Sequence, residues 1–363
     1  MLRFLTAGES HGSTEIAILE GMPAGLYLTT EDIQKDLDKR RASAGRGGRG
    51  LIEKDQVKIL SGVRHGLTLG SPVALLVENL DFPNWIDIMS SHPSGDMKRH
   101  SSEITNPRPG HADLAGAIKY GFSDIRNVIE RASARETIMR VAVGSICRKF
   151  LLEFDIQINS RILQIGKVHL LKSLNYKQME EVIMEARKRK DTLGGVIEIM
   201  AQNVPAGLGS YVHWDRKLDG KIARALMSIP SVKAVEIGDG VKNSGKFGSE
   251  VHDVISYDKK FFRQTNRAGG LEGGVTNGED IICRVYHKPI STLGNPLKTV
   301  NLKTHKPETA LIERSDICVV PRAGVISESM IAFVLADAFL EKFGSDALSD
   351  IKRNYRFYLD RIN

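Results

Sequence analysis

Residues 130–150 read Glu-Arg-Ala-Ser-Ala-Arg-Glu-Thr-Ile-Met-Arg-Val-Ala-Val-Gly-Ser-Ile-Cys-Arg-Lys-Phe. Ser133 followed three residues later by Glu136 has the form of a capping box, and Met139, Val143, Ile146 and Phe150 then recur at helical spacing. The pattern predicts a helix that begins at Ser133 and buries one face. Its first free N–H groups, flanked by Arg131 and Arg135, would offer a seat for phosphate. A capped structural helix with surface arginines is the simpler alternative.

Towards the N-terminus, residues 31–41 carry acids in the first turn and bases in the last, with Ile33 and Leu37 one turn apart, which predicts a short helix aligned with its own dipole. It runs into a glycine-rich loop, residues 42–50, with arginines at Arg40, Arg41, Arg46 and Arg49. Guanidinium forks beside bare glycine N–H groups suit a single anion; a solvated loop is the alternative. Gly45 to Gly50 satisfies G-x-G-x-x-G, but a basic helical segment precedes it and a strand-like stretch, Leu51 to Leu60, follows, the reverse of a dinucleotide fingerprint. The same loop resembles an RGG box, yet no aromatic residue lies between Tyr27 and Phe82 to stack a base. No nucleic-acid partner is expected from it.

Three further clusters carry polar chemistry. Arg108-Pro109-Gly110-His111-Ala112-Asp113 fixes a turn that presents His111 with an arginine and a carboxylate nearby, a plausible acid–base arrangement near neutral pH. Gly8-Glu9-Ser10-His11-Gly12 brackets Ser10 and His11 with glycines but lacks the G-x-S-x-G spacing, and no sequence order identifies an acidic partner. Lys288 to Thr292 and Arg314-Ser315-Asp316 add basic and hydroxyl groups, and Gly269 to Gly274 permits close backbone approach to a ligand. Residues 174–190 read as a solvated amphipathic helix, and residues 328–343, stopped by Gly344, as a mostly buried one. His92, Asp96 and His100 are too loosely spaced for a metal site.

The chain of 363 residues, 41% hydrophobic and 26% charged, can bury a full core, and with no Pro- or Ser-rich linker it reads as one domain, 1–363. The longest apolar run, near Met330 to Leu340, is broken by Asp337 and falls short of the roughly 20 residues of a membrane span. No membrane association and no secretion signal are expected. Cys147, Cys283 and Cys318 form no CxxC pair, which argues against a zinc site or disulfide framework and fits a reducing cytoplasm. The net charge of +7 favours anionic partners.

In this order the clusters resemble the chorismate synthase family along essentially the whole chain. Gly8-Glu9-Ser10-His11-Gly12 leading to Glu20-Gly21-Met22-Pro23-Ala24-Gly25 is similar to the family's first signature. Glu130 to Ile146 is similar to the second, and Arg314-Ser315-Asp316 through Glu328-Ser329-Met330 to the third. The motifs at 108–113, 235–240 and 269–274 fall where the family has them. Glu15 stands where the first signature has an aliphatic residue, and Ile317 where a small residue or proline follows Arg-Ser-Asp.

The resemblance implies an α+β fold of antiparallel sheets sandwiched by helices, a β-α-β sandwich, commonly assembled as a homotetramer. It implies a lyase that eliminates phosphate and a ring hydrogen from 5-enolpyruvylshikimate 3-phosphate to give chorismate, an anti-1,4-elimination in the shikimate pathway that requires reduced FMN without consuming it. By position, His11 would protonate the departing phosphate with Ser10 beside it, His111 would stabilise or protonate the reduced flavin, and Asp316 would accept the ring proton through flavin N5. Arg40, Arg46, Arg49 and Arg135 would bind the anionic substrate. Arg131, Ala132, Ser133, Pro230, Ser231, Gly273, Lys288, Pro289, Ile290, Ser291, Thr292 and Arg314 match flavin-binding positions, and Arg40 and Arg46 also match NADP positions. Reduction of the flavin by NADPH on the enzyme and reduction by an external flavin reductase are both compatible with this pattern.

Overall fold

The computed structural model describes residues 1–42, 55–92, 103–169, 176–313 and 315–362; Arg46, Arg49, Asp96, His100 and Arg314 lie outside them. Strands β1 (Arg3–Ala7), β2 (Thr14–Glu20), β3 (Val57–Ile59) and β4 (Val73–Glu78) form one antiparallel sheet in the order β1-β2-β4-β3. Strands β5 (Gln157–Ile165), β6 (Val168–His169), β7 (Gly195–Gln202), β8 (Val232–Ile237) and β9 (Ile281–His287) form a second, in the order β8-β9-β7-β5-β6, again antiparallel. Both sheets alternate with period two. In β4, Val73, Leu75 and Val77 are buried, and in β9, Ile281, Cys283, Val285 and His287 are.

The longer helices are α1 (Thr30–Arg41), α2 (Asp113–Tyr120), α3 (Arg126–Ala132), α4 (Thr137–Leu152), α5 (Tyr176–Lys188), α6 (Leu218–Met227), α7 (Val320–Phe343) and α8 (Leu348–Ile362). Helix α4 packs on β2 of the first sheet, α7 packs on β5 and β7 of the second, and α4 and α7 pack on each other. The helical layer therefore lies between two sheets, and the α+β, β-α-β architecture is as expected. Gly144 in α4 allows the closest approach: a Cβ there would lie 2.2 Å from Ser329 Cβ and 2.5 Å from Ser329 Cα in α7. Phe150 of α4 meets Phe339 of α7 edge-on at 5.8 Å.

Helix α1 is capped as its sequence suggests. Thr29 and Asp32 complete a capping box, Ile33 and Leu37 are buried, and the basic last turn carries Arg40 inward. The expected start of a helix at Ser133 is corrected. The chain is already helical in α3, Ser133 interrupts it with ψ 141°, and a single 3₁₀ turn leads into α4 at Thr137. Glu136 does not return to Ser133; its carboxylate accepts from Thr6 Oγ1 and Arg140 Nε instead. Met139, Val143, Ile146 and Phe150 are all buried, as their spacing predicts.

Helix α7 begins eight residues before its expected start at Glu328, with Pro321 in its first turn, and ends at Gly344. Its first turns are hard to read because they carry polar residues that the fold buries, Ser327 and Arg322, the latter paired with Asp316. At 24 residues α7 is long and apolar enough to cross a membrane, but most of it is buried inside the protein. The three cysteines are free and buried.

Candidate active site

One cavity of about 950 Å³ opens between the sheets where α3, α4 and the start of α7 meet the 79–89 and 106–112 loops. Ser10, His11, Arg40, His111, Ala132, Ser133, Arg135, Pro230, Ser231, Lys288, Pro289, Ile290, Ser291, Thr292 and Asp316 all line it. These residues are up to some 300 positions apart in the chain, and the fold converges them on one space.

His11 follows the turn after β1. Its backbone N–H donates to Glu130 Oε2 at 2.8 Å, and its Nδ1 lies 2.9 Å from Glu130 Oε1. Burial would raise the Glu130 carboxyl, but the hydrogen bond and charge of His11 outweigh it and hold Glu130 below the usual glutamate range. A carboxylate there fixes Nδ1 as the protonated nitrogen and leaves Nε2 as the site of proton exchange. The ring also stacks on Trp85, centroids 3.7 Å apart, and Arg126 lies over the other ring system of that contact, 5.4 Å from the Trp85 centroid. Ser10 accepts from Ser133 Oγ at 3.0 Å, which ties the first signature to the second.

His111 sits in the turn before α2, with Gly110 at φ +79°. Asp113, fully buried, accepts from His111 Nδ1 and forms a two-pronged pair with Arg108 at 2.8 and 3.1 Å. Burial alone would raise Asp113, yet His111 and Arg108 hold it far below the usual carboxylate range. Arg108 also donates to Thr292 Oγ1 at 2.8 Å, while Lys288 Nζ and Ser291 Oγ both donate to the Gly110 carbonyl. The His111 turn and the 288–292 segment are thus one bonded unit. Burial, then the charge of Lys233, lowers the Lys288 ammonium from its ordinary value.

Asp316 pairs with Arg322 Nη1 at 2.6 Å just inside the start of α7. The Nε and Nη2 of Arg322 are buried with no hydrogen-bond partner among the described residues. Arg40 and Arg135 are both buried, their guanidinium groups 3.6 and 3.7 Å from the Asp55 carboxylate that lies between them. Arg40 is braced further by bonds to Thr137 Oγ1 and the Ala134 carbonyl. Held this way, two cations remain close together in a buried wall and present a field for an anion.

Two of the expected residues do not line the cavity. Arg131 is exposed and donates to the Thr6 and Gly8 carbonyls, and Gly273 lies in a hairpin turn at φ +61°, with Tyr211 its nearest neighbour. Arg46, Arg49 and Arg314 fall outside the described residues. Four contributors escaped the sequence reading: Trp85, Glu130 as the partner of His11, Arg322 and Asp55. No local spacing links Glu130 to His11 across 119 positions. Asp81 and Trp85, i and i+4 with Trp85 Nε1 donating to Asp81, were a readable signal. So was Arg322, a cation opening an otherwise apolar helix.

A sequence model of the family described as chorismate synthase matches residues 2–340. A protein named chorismate synthase from Moorella thermoacetica is 50% identical over 386 aligned positions, covering 100% of both chains. Another of that name, from Solibacter usitatus, is 47% identical, covering 100% of this chain and 99% of the other. A crystal structure described as chorismate synthase is 40% identical, with a TM-score of 0.78 and coverage of 99% of this chain and 98% of that one. Identity at this level over the full length of the fold means that the chain belongs to the chorismate synthase family.

Proposed function

We propose that this enzyme eliminates phosphate from 5-enolpyruvylshikimate 3-phosphate to form chorismate, in the presence of reduced FMN. The observation that carries the reading is the convergence on one cavity of three acid–base groups, His11, His111 and Asp316, with two buried arginines, Arg40 and Arg135. A substrate with one phosphate and two carboxylates needs such paired cations, and the planar forks of arginine suit them. Arg46 and Arg49 would complete the set from the adjoining loop.

The cavity suits a flavin. Its volume lies at the upper end of the roughly 300–1,000 Å³ usual for cofactor sites, and Ile229, Pro230, Pro289 and Ile290 offer apolar walls. Arg322 keeps beside it two buried donors that have no partner among the described residues. Ala132, Ser133, Pro230, Ser231 and Lys288 to Thr292 would hold the cofactor, with Arg314 added from outside the described residues; Arg131 and Gly273 lie away from this chain's cavity. Reduced FMN, when bound, supplies the electron density that assists cleavage of the C–O bond.

The residues then divide the proton work. His11, oriented by Glu130 and clamped by Trp85, delivers a proton from Nε2 to the departing phosphate, with Ser10 alongside. Asp316, held by Arg322, takes up the ring proton. His111, fixed through Nδ1 by Asp113, holds a proton at Nε2 beside the cofactor. Burial of the arginines keeps water away from the leaving phosphate and strengthens each contact with it.

Three buried free thiols fit a cytoplasmic enzyme; burial pushes Cys283 up to about 12 and Cys318 to about 11. A buried cluster running from Leu2 to Ile351 supports a single domain. Exposed apolar side chains at Tyr211, Trp214, Phe247, Tyr257 and Phe261 supply surface that a homotetramer would cover. Either NADPH or a separate flavin reductase could supply electrons, and dependence on added reductase distinguishes them. The deciding experiment is anaerobic incubation with the enolpyruvyl substrate and chemically reduced FMN, following phosphate release and chorismate absorbance together. Absence of both products overturns the assignment.

A further inference from the structure

His287 ends β9 on its buried face, in line with Cys283 and Val285, and is 5% exposed. It does not line the cavity, but it touches a residue that does. Its Nδ1 lies 2.9 Å from Ser231 Oγ, and next to it the Lys288 N–H donates to the Ser231 carbonyl at 2.9 Å. Ser231 is held in the left-handed region, φ +73°, a conformation that a non-glycine residue keeps only where its surroundings impose it. The strand register agrees, since Val232 of β8 pairs with His287.

The direction of the His287–Ser231 bond follows from what is left over. His287 Nε2 is buried with no hydrogen-bond partner among the described residues. If the serine hydroxyl donated to Nδ1, the neutral ring would carry its hydrogen on Nε2, a buried donor with no acceptor, which folded proteins almost never tolerate. If Nδ1 carries the hydrogen and donates to Ser231 Oγ, only an acceptor lone pair goes unused, the milder loss. Burial keeps the ring neutral by lowering it to about 4. With its lone pair taken by Nδ1–H, the Ser231 hydroxyl must aim its own hydrogen elsewhere, and the cavity is the space it lines.

We propose that His287 is a positioning residue that turns Ser231 into a hydrogen-bond donor facing the cavity, where it meets an acceptor oxygen or nitrogen of the flavin. This rests on the flavin reading above and adds to it the residue that sets the polarity of one contact. The acceptor class follows from the geometry: a donor hydroxyl beside the apolar Ile229 and Pro230 suits the carbonyl-bearing edge of a planar ring.

The test is titration of the whole enzyme with oxidised FMN, read by quenching of flavin fluorescence, with thermal melting as a check on folding. His287→Phe and Ser231→Ala should each weaken FMN binding about three- to tenfold, the scale of one neutral hydrogen bond, and the double variant should be no weaker than either single one. His287→Asn, whose amide nitrogen occupies the place of Nδ1, should restore binding to within about twofold, while His287→Gln, which mimics Nε2, should not. Wild-type affinity in His287→Phe and Ser231→Ala would overturn the inference, as would an Asn variant that melts normally yet binds no better than Phe. A wild-type enzyme that binds no FMN would instead sink the flavin reading itself.

Discussion

Glu15 lies on the buried face of β2, 1% exposed, with its Oε2 lacking a hydrogen-bond partner among the described residues. Burial is the chief influence on it, only partly offset by Arg135 and Arg131 and reinforced by Glu136 and Glu9, and raises its carboxyl from 4.5 to about 7. Below pH 4.5 the group is neutral in folded and unfolded chains alike, so its contribution is intact. Between 4.5 and about 7 the unfolded chain ionises first, and stability falls as pH rises until it levels off above that window. At about 1.4 kcal/mol per pH unit, the loss between pH 5 and pH 8 is about 2–3 kcal/mol. Glu15→Gln removes the titrating group with little change of shape, so the variant should gain on the wild type by that amount as pH rises. With an unfolding entropy of about 2.1 cal/mol/K per residue over 363 residues, the gain is ~3 °C. Calorimetric scans of both proteins at pH 5 and pH 8, at matched ionic strength, measure it. A Tm difference that stays constant with pH, or moves the other way, would show that Glu15 is ionised in the folded protein and that the burial argument fails.

Loss of the His11 proton site in His11→Ala should lower turnover by roughly 10²–10⁴ with native circular dichroism, and Glu130→Gln should fall in the same direction because the ring loses its orienting carboxylate; near wild-type elimination in Glu130→Gln would remove that pairing from the mechanism. Arg40→Lys should raise the Michaelis constant for the enolpyruvyl substrate by about tenfold, whereas Arg189→Lys in the exposed turn after α5 should leave it unchanged; equal constants in the two variants would mean that Arg40 does not meet substrate. Gly144→Ala should destabilise the protein by about 1–3 kcal/mol or more through overpacking against Ser329, seen as a lower Tm, and an unchanged Tm would refute the close helix contact.

What was legible in the sequence divides along physical lines. Helix α1 could be read because charge asymmetry and a four-residue apolar step are local properties, and its bounds of Thr30–Arg41 match the expected 31–41 within a residue. The buried face of α4 was equally local. The capping box at Ser133 misled because the same residues serve a break between two helices, and Glu136 finds stronger partners in Arg140 and Thr6. The early turns of α7 were missed because they carry polar residues that only the folded chain buries, Ser327 and Arg322, which pairs with Asp316. At the site, the residues that match the family's motifs could be aligned one by one. Their supports could not: Glu130 behind His11, Asp55 between Arg40 and Arg135, and Trp85 over the His11 ring exist as partners only once the chain is folded.

The central position of α7 has a consequence for how the protein comes to exist in a cell. The helix that separates the two sheets is encoded late, with 319 residues preceding Val320. At about 5–20 residues per second, the ribosome finishes β9 at His287, the last strand of the two sheets, a few seconds before it reaches Val320, and β5 and β7 earlier still. Over that interval the inner faces of β5 and β7, including Ile197, Ile199 and Ala201, have no helix α7 to cover them. The second sheet therefore cannot complete its core before α7 has been made. Until α7 has been made and packs on β5 and β7, the buried face of the second sheet stays open to self-association, so the closing of the core waits on residues 320–343.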